Sequence, residues 1–444
     1  MRTTKDIIVR LLSNLGSRKE VEQYLKQYSA VDAQKFAIVK VGGNILARDL
    51  DALASSLTFL QNVGLYPVVL HGAGPQIDEA LAAEGVPSQR ASGLRVTSPR
   101  ALEIARKVTL RENLRLVEAL EELGTRARPV TSGVLEAELV DPEELGLVGR
   151  VVKVHAESLH ASLRAGHLPI VTCLGETAGG QIVSVSSDSA MAELCRAIEP
   201  YKMIFLTEPG GLLGEDGQII SAVNLAEDYD TLMDRPWLHS GMRDKLQHVK
   251  LILDGLPPES SVSITSPDHL AKELFTHVGS GTLVRRGERI RCVGALDGID
   301  LARLRALLEA CFGRKLDEDY FVKKSIDRVY LSDSYRATAI ITRDAASRLP
   351  PYLDKLAVTT EAQGAGVGGS LWKRMAAENP RLYWRARAEN EINPWYFQKA
   401  QGSYKSGRWT VFWYGLDGWD EIKACVDHAL SLPATLREHG TAEV

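Results

Sequence analysis

The chain has 444 residues, 45% of them hydrophobic and 25% charged, the balance of an ordinary globular protein and not of a disordered or fibrous one. At roughly 100–200 residues per domain, that length implies two or three domains, each able to bury its own core, and excludes a small disulfide-stapled module. Lys plus Arg is 53 against 57 for Asp plus Glu, so the net charge of -4 gives no global attraction to nucleic acid, and any anionic ligand must be held by local basic groups.

The opening MRTTKDIIVRLLSNLG is too short in its apolar run and too broken by charge for a signal peptide or membrane span, so a cytoplasmic protein without membrane contact is expected. Residues 3–30 read as helices, with one apolar stripe of Ile7, Ile8, Leu11, Leu12 and Leu15 and another of Val21, Tyr24, Leu25 and Tyr28. FAIVKV (36–41), a helix marked by Leu50, Leu53, Ala54, Leu57 and Leu60, and YPVVL (66–70) then form a βαβ unit. Such a unit implies a parallel sheet covered by helices. The alternation continues through strands PIVTCL (169–174), QIVSV (181–185), KMIFLT (202–207), SVSITS (261–266) and GTLV (281–284), with helices over 99–122 and 241–253.

This pattern gives a helical segment over 1–30 and an α/β domain over 31–285. Beyond it the composition changes, because six of the seven tryptophans lie after residue 370. A second domain is expected over 286–444, entered through 289–313 and followed by a hairpin in VYLSDSYRATAIITR (329–343). The five cysteines (Cys173, Cys195, Cys292, Cys311, Cys425) contain no C-x-x-C pair, and the histidines no H-E-x-x-H, so neither a disulfide framework nor a protein metal site is expected.

Two βα junctions are glycine-rich, Lys40-Val-Gly42-Gly43-Asn44 and His71-Gly72-Ala73-Gly74-Pro75, both at carboxyl ends of expected parallel strands, where α/β sheets bind ligands. Glycine lets the backbone approach a phosphate, a helix N-terminus presents unpaired N–H groups, and the lysine adds positive charge. Neither loop matches the P-loop or the dinucleotide-binding glycine pattern. A third glycine loop, Gln363-Gly364-Ala365-Gly366-Val367-Gly368-Gly369, stands between LAVTT and an amphipathic LWKRM helix. The same anion-binding logic applies there, now toward a pyrophosphate.

The motifs KVGGN, VVLHGAGPQID, SGLRVT (92–97), SSDSA (186–190), SGMRDKL (240–246) and KELFTHVGSGTLV (272–284) occur in the order seen in N-acetylglutamate kinases, and the segment resembles that branch of the amino-acid kinase family. The resemblance implies a mainly parallel sheet with helices on both faces. By the same resemblance Lys40 and Lys245 would flank the phosphoryl group, Asp188 would hold the two lysines, and Arg95 would bind the α-carboxylate of N-acetyl-L-glutamate. Gly42 and Gly43 would meet ATP, with Mg²⁺ bridging its phosphates, and Gly72, Ala73 and Ser184 would meet the acyl substrate. Two lysines suit this chemistry, since both reactants are anions and their repulsion must be offset. The sequence departs from the family at Ser184 and Ser186, where asparagines are usual, and at Glu208-Pro209, where an aspartate is usual. The departures leave open a synthase whose first domain is an L-arginine-binding regulatory module.

Gln363, Gly364, Gly366, Gly368 and Gly369 match the acetyl-CoA loop of GNAT acetyltransferases, and YLDKLAV, YWRARAENEINPWYFQKAQGSY and WTVFWYGL resemble the acetyltransferase domain of vertebrate-type N-acetylglutamate synthases. The resemblance implies an α/β GNAT domain in which Lys355, Arg387 and Asn390 bind L-glutamate and Tyr396 is the general acid. A phenol with pKa near 10 is protonated at neutral pH and so has a proton to give to the leaving thiolate. The general base stays open between Glu361, Glu389, Glu391 and water, and Cys425 reads as structural.

Together these readings imply two steps of arginine biosynthesis on one chain: acetyl transfer from acetyl-CoA to glutamate, then phosphorylation of the product by ATP. Arginine-sensitive relatives carry an N-terminal helix beside which the inhibitor sits, which implies an L-arginine site at Tyr24, Glu273 and Gly279, Glu273 pairing with the guanidinium. The apolar stripe of that helix implies a homo-oligomer, a dimer or tetramer.

Overall fold

The computed structural model describes residues 24–25, 28, 31–91, 93–275, 280–294, 296–343, 348–360, 362 and 366–437. Of the helices expected over 3–30, Tyr24, Leu25 and Tyr28 are described and helical, and the remainder lies outside the described residues. The chain divides into two compact units, Met1–Val223 with Asp230–Arg286, and Asn224–Tyr229 with Gly287–Val444.

The first unit is built on an eight-stranded sheet in the order Ala222–Asn224, Thr282–Arg285, Ser261–Thr265, Lys202–Leu206, Ala37–Val41, Val68–His71, Leu168–Thr172, Ala127–Val130. Ala37–Val41 lies at its centre, parallel to Lys202–Leu206 on one side and to Val68–His71 on the other. Only Lys40 of this strand is less than buried, since a parallel strand between helical layers faces apolar side chains on both sides. Leu53, Leu57 and Leu60 of helix Leu50–Asn62 are fully buried in the same core as Val39 and Val41, and each contributes roughly 1.5–3 kcal/mol by leaving water. The parallel order brings Val41 and His71 to one edge, so both glycine loops emerge there.

Helix Pro99–Glu122 spans the residues its periodicity predicts. Ser98 accepts a hydrogen bond from Ala101 N at 3.2 Å, and Pro99 occupies the first turn, where no N–H is needed. PIVTCL is not the single strand expected. Leu168–Thr172 stays in the large sheet, whereas Leu174–Glu176 joins Leu135–Leu139, Val148–Val154 and Ile182–Val185 in a small closed barrel. The chain changes sheets at Cys173, whose thiol donates to His71 O at 3.1 Å.

The second unit holds a seven-stranded sheet ordered Ile290–Gly294, Ile326–Ser332, Ala337–Thr342, Tyr352–Val358, Leu382–Arg387, Trp409–Tyr414, Gly402–Ser406. Helix Val367–Glu378 covers one face, over Tyr330, Ala339 and Trp384, and helix Leu301–Phe312 covers the other, over Val329, Leu331 and Ile340. Successive residues of Ile326–Ser332 thus serve opposite cores, as a two-residue period requires. Tyr352–Val358 and Leu382–Arg387 run parallel but pair only at Tyr352 with Tyr383 and Leu353 with Trp384. The segment Asn224–Tyr229 belongs to this unit, with Asp228 bound to Lys373 at 2.8 Å and Glu227 accepting from Ile290 N at 2.7 Å.

Candidate active sites

In the first unit Lys40, one residue before the end of its strand, reaches Asp188 in the first turn of helix Ser187–Ile198 and forms an ion pair with Oδ1. Ser186 caps that helix, its hydroxyl accepting from Asp188 N at 3.3 Å. Burial works to raise the Asp188 carboxyl, but the Lys40 ammonium and, more weakly, His248 and Lys245 outweigh it and hold the group below its usual value. Asp188 does not hold both lysines. Lys245, on helix Ser240–Asp254, is exposed and makes no ion pair or hydrogen bond among the described residues, acting on Asp188 only through space. Asp188 takes one direct cation because Lys40 arrives from the neighbouring strand end.

The glycine loops are interlocked. Gly42 caps helix Gly43–Arg48 with no side chain over its N–H groups. A Cβ on Gly43 would lie 2.7 Å from both Gln76 Oε1 and Pro75 Cδ, so glycine is required there, and Gln76 Nε2 donates to Gly43 O at 2.7 Å. Gly72 N–H donates to Val41 O at 3.0 Å, which ties the start of the second loop to the end of the central strand. Ala73 is buried and caps helix Gly74–Ala83. The preceding His71 is fully buried, which lowers its pKa to about 4 and leaves a neutral ring facing Asn113 Nδ2 at 3.0 Å.

Arg95, expected at the α-carboxylate, already donates to Asp78 Oδ1 at 2.7 Å and to Gly74 O at 3.0 Å, which fixes it against the second glycine loop. Ser184 is half-buried on a barrel strand, with its N–H bound to Leu147 O at 3.0 Å. Glu208 is tied to Arg48 at 3.0 Å.

Of the expected arginine contacts, Gly279 lies outside the described residues. The ring of Tyr24 stands 5.8 Å from that of Tyr28. Glu273 is buried and not open to a guanidinium at Oε2, which accepts from Ser280 N at 3.0 Å and Gly281 N at 2.9 Å. Two cations absent from the sequence reading, Lys202 and Arg285, act electrostatically with these groups, and Arg285 Nε is buried without a partner among the described residues.

In the second unit Gly366, at φ 78°, caps the twelve-residue helix Val367–Glu378 without a side-chain hydrogen bond. A Cβ at Gly368 would stand 3.1 Å from Val358 Cγ2, and Gly369 faces open space. Gln363 and Gly364 lie outside the described residues. The bare backbone at the start of a full-length helix fits an anionic group such as a pyrophosphate.

Tyr396 sits on helix Asn393–Lys399 with its ring 5.5 Å from those of Trp384 and Phe412, and burial pushes its phenol above the ordinary value. Lys355 is not placed beside it. Lys355 lies over the Tyr320 ring, in the core on the opposite sheet face, and its ammonium is engaged by Asp354 and by Thr435 Oγ1 at 2.8 Å. Arg387 is half-buried at the end of its strand, and Asn390 is exposed, its Oδ1 accepting from Ile392 N at 3.3 Å. Glu389 and Glu391 are both exposed, and Glu361 lies outside the described residues.

Residues 35–257 match the model of the amino acid kinase family, and residues 289–431 match that of the N-acetyltransferase of N-acetylglutamate synthase. The chain is 51% identical over 425 residues to an acetylglutamate kinase of Xanthomonas campestris pv. campestris, covering 95% of this chain and 100% of that one. It belongs to the amino acid kinase family. Behind its kinase-family domain it carries the acetyltransferase domain of N-acetylglutamate synthase. It is also 33% identical over 425 residues to the mitochondrial N-acetylglutamate synthase of Homo sapiens, covering 94% of this chain and 76% of that one. In fold it resembles N-acetylglutamate synthase from Neisseria gonorrhoeae, solved with coenzyme A and N-acetyl-glutamate, with a TM-score of 0.63 and 21% identity over 90% of this chain and 98% of that one.

Several residues of the kinase-family site escaped sequence reading. Gln76 and Asp78 lie two and four residues beyond Gly74, in the quoted VVLHGAGPQID, and helical spacing puts their side chains back toward the loops. His248 follows Lys245 by three residues on one helix, the spacing that places both near Asp188. In the acetyltransferase domain Arg385, two residues before Arg387, stacks on Trp409 at 4.1 Å and donates to Ala429 O at 2.6 Å. Among the described residues no helix is long and apolar enough to cross a membrane.

Proposed function

We propose that the protein carries out two steps of arginine biosynthesis: it transfers acetyl from acetyl-CoA to the α-amine of L-glutamate and phosphorylates the side-chain carboxylate of N-acetyl-L-glutamate with ATP. The observation that carries the kinase half is the Lys40–Asp188 pair standing at the strand end between the two glycine loops. In phosphoryl transfer Lys40 and Lys245 offset the negative charge spread over the transferred group as a carboxylate oxygen bonds to the γ-phosphorus and the bond to ADP breaks. Asp188 keeps Lys40 aimed, Gly42 leaves room for the phosphates, and Gly43 lets the second glycine loop close against the first. Mg²⁺ would enter with the nucleotide and help to neutralise its phosphates. Arg95, with Gly74 and Asp78 behind it, would meet the substrate's α-carboxylate.

For acetyl transfer, the N-terminus of Val367–Glu378 with Gly366, Gly368 and Gly369 would hold the coenzyme A pyrophosphate. The neutral glutamate amine attacks the thioester carbon, the C–N bond forms as the C–S bond breaks, the departing thiolate takes the Tyr396 proton, and the proton that the new amide nitrogen sheds passes to water, from which Tyr396 is reprotonated. Burial keeps the phenol protonated in the resting site while making it a weaker acid than in solvent, so the proton moves only as negative charge builds on the sulfur. Arg387 and Asn390 would bind glutamate together with Lys355, across the opening where Tyr352–Val358 and Leu382–Arg387 cease to pair. L-Arginine is the proposed effector, at Tyr24, Glu273 and Gly279, and the protein is proposed to act as a homo-oligomer in the cytoplasm.

One preparation tests the reading: ADP formation from ATP, Mg²⁺ and N-acetylglutamate, and thiol release from acetyl-CoA and glutamate, assayed in parallel. Both products are expected. Thiol release without ADP would make the first domain regulatory, the alternative that Ser184, Ser186 and Glu208 leave open.

A further inference from the structure

Asp354 sits at a β-bulge: Ile341 pairs with Leu353 and Ile340 with Lys355, which leaves Asp354 as the extra residue. The bulge reverses the alternation of the strand. Leu353 packs with Trp384 and Tyr396 on one face, and Lys355 turns to the other, over the Tyr320 ring at 4.9 Å. The Asp354 carboxylate, whose side chain is 5% exposed, accepts from Tyr320 Oη at 2.7 Å, from Lys324 Nζ at 3.0 Å and from Lys355 Nζ.

Two largely buried ammonium groups therefore share one carboxylate, and the Arg385 guanidinium adds to the field on both sides of the pair. The cluster keeps excess positive charge. Such an excess is unfavourable in a low-dielectric site until an anion arrives, and buried ion pairs are weak sources of stability in themselves. Tyr320, Lys324, Tyr352 and Thr435, which surround Asp354 and Lys355, also line a cleft of about 710 Å³.

We propose that Asp354 is a positioning residue of the acetyl-acceptor site: it fixes the ammonium groups of Lys355 and Lys324 beside this cleft, where their excess charge selects an acidic amino acid. The inference rests on the acetyl transfer to glutamate proposed above. Without Asp354 the two lysines lose their shared counter-charge, and burial then works unopposed against the charged form of Lys355, which makes it a poor partner for a carboxylate. Asp354 touches neither acetyl-CoA nor the reacting amine; it acts through the lysines.

The test is steady-state thiol release by the full-length protein, with glutamate and acetyl-CoA varied separately. Lys355→Met and Asp354→Asn are each expected to raise the KM for glutamate about tenfold or more while the KM for acetyl-CoA moves less than about twofold. Asp354→Glu, which retains the charge, is expected to recover part of that loss, and Lys324→Met to raise the glutamate KM alone by a smaller factor. Should Asp354→Asn lose coenzyme A binding by calorimetry, the Asp354→Glu and Lys324→Met variants decide. The proposal is overturned if Asp354→Asn leaves the glutamate KM unchanged or raises both KM values alike, or if Lys355→Met is silent. Failure of the parent reading is distinct: the unsubstituted enzyme would then release no thiol with glutamate.

Discussion

Lys202 is 4% exposed at the start of a central strand, where burial and then the Arg285 guanidinium lower its pKa to about 7 while Glu273 pulls it upward. In the unfolded chain a lysine stays protonated to about pH 10.4. Between those values the unfolded state binds the extra proton, so this group makes the folded state more stable as pH rises through the window and least stable below its folded pKa. Wild type minus Lys202→Met in thermal midpoint is therefore expected to climb from pH 7 to pH 10 and to flatten below pH 7. A difference independent of pH would show that Lys202 titrates as in solvent.

Single residues were unequally legible. Lys40 and Asp188 are 148 positions apart, yet their motifs identify both, and the structure joins them. The sequence points to Lys355 only as a glutamate ligand, since a strand's alternation cannot reveal the bulge that turns it onto Asp354, and Asp354 gives no signal beyond adjacency to a lysine. The engagement of Gly72 N–H and Glu273 Oε2 by neighbouring backbone was equally invisible, since those partners are set by register.

Elements with their own punctuation were read best. Ser98-Pro99 and a long apolar period fixed helix Pro99–Glu122, and β-rich runs fixed the central strands. The barrel strand LEAEL was missed because, although its burial alternates at first, it is short, acidic and partner-dependent, and no helix follows to mark a βαβ unit. The two glycine loops act as one element through Gln76. Gly43→Ala would drive a Cβ to 2.7 Å from Gln76 Oε1 and Pro75 Cδ, whereas the Cβ of Gly42→Ala meets nothing within 4 Å. Gly43→Ala is expected to lower ADP formation about a hundredfold, with Gly42→Ala far milder. Equal effects would contradict the interlock.

On the scale of the whole molecule, two compact units each carry a glycine loop opening onto a helix, and, residues 224–229 aside, the two family matches fall on them separately. The shift in tryptophan content signalled the second unit from sequence. That residues 224–229 belong with it was not legible, because the ties of Asp228 to Lys373 and of Glu227 to Ile290 cross more than sixty positions. If each unit holds its own chemistry, damage to one site leaves the other working.

The decisive measurement is a crossed assay of Lys40→Met and Tyr396→Phe, following ADP and free thiol in both. Lys40→Met is expected to abolish ADP formation and keep wild-type thiol release, and Tyr396→Phe to lower the kcat of thiol release at least about tenfold while ADP formation is unchanged. Loss of both products in either variant, or undiminished ADP formation by Lys40→Met, would contradict two separate active sites on one chain.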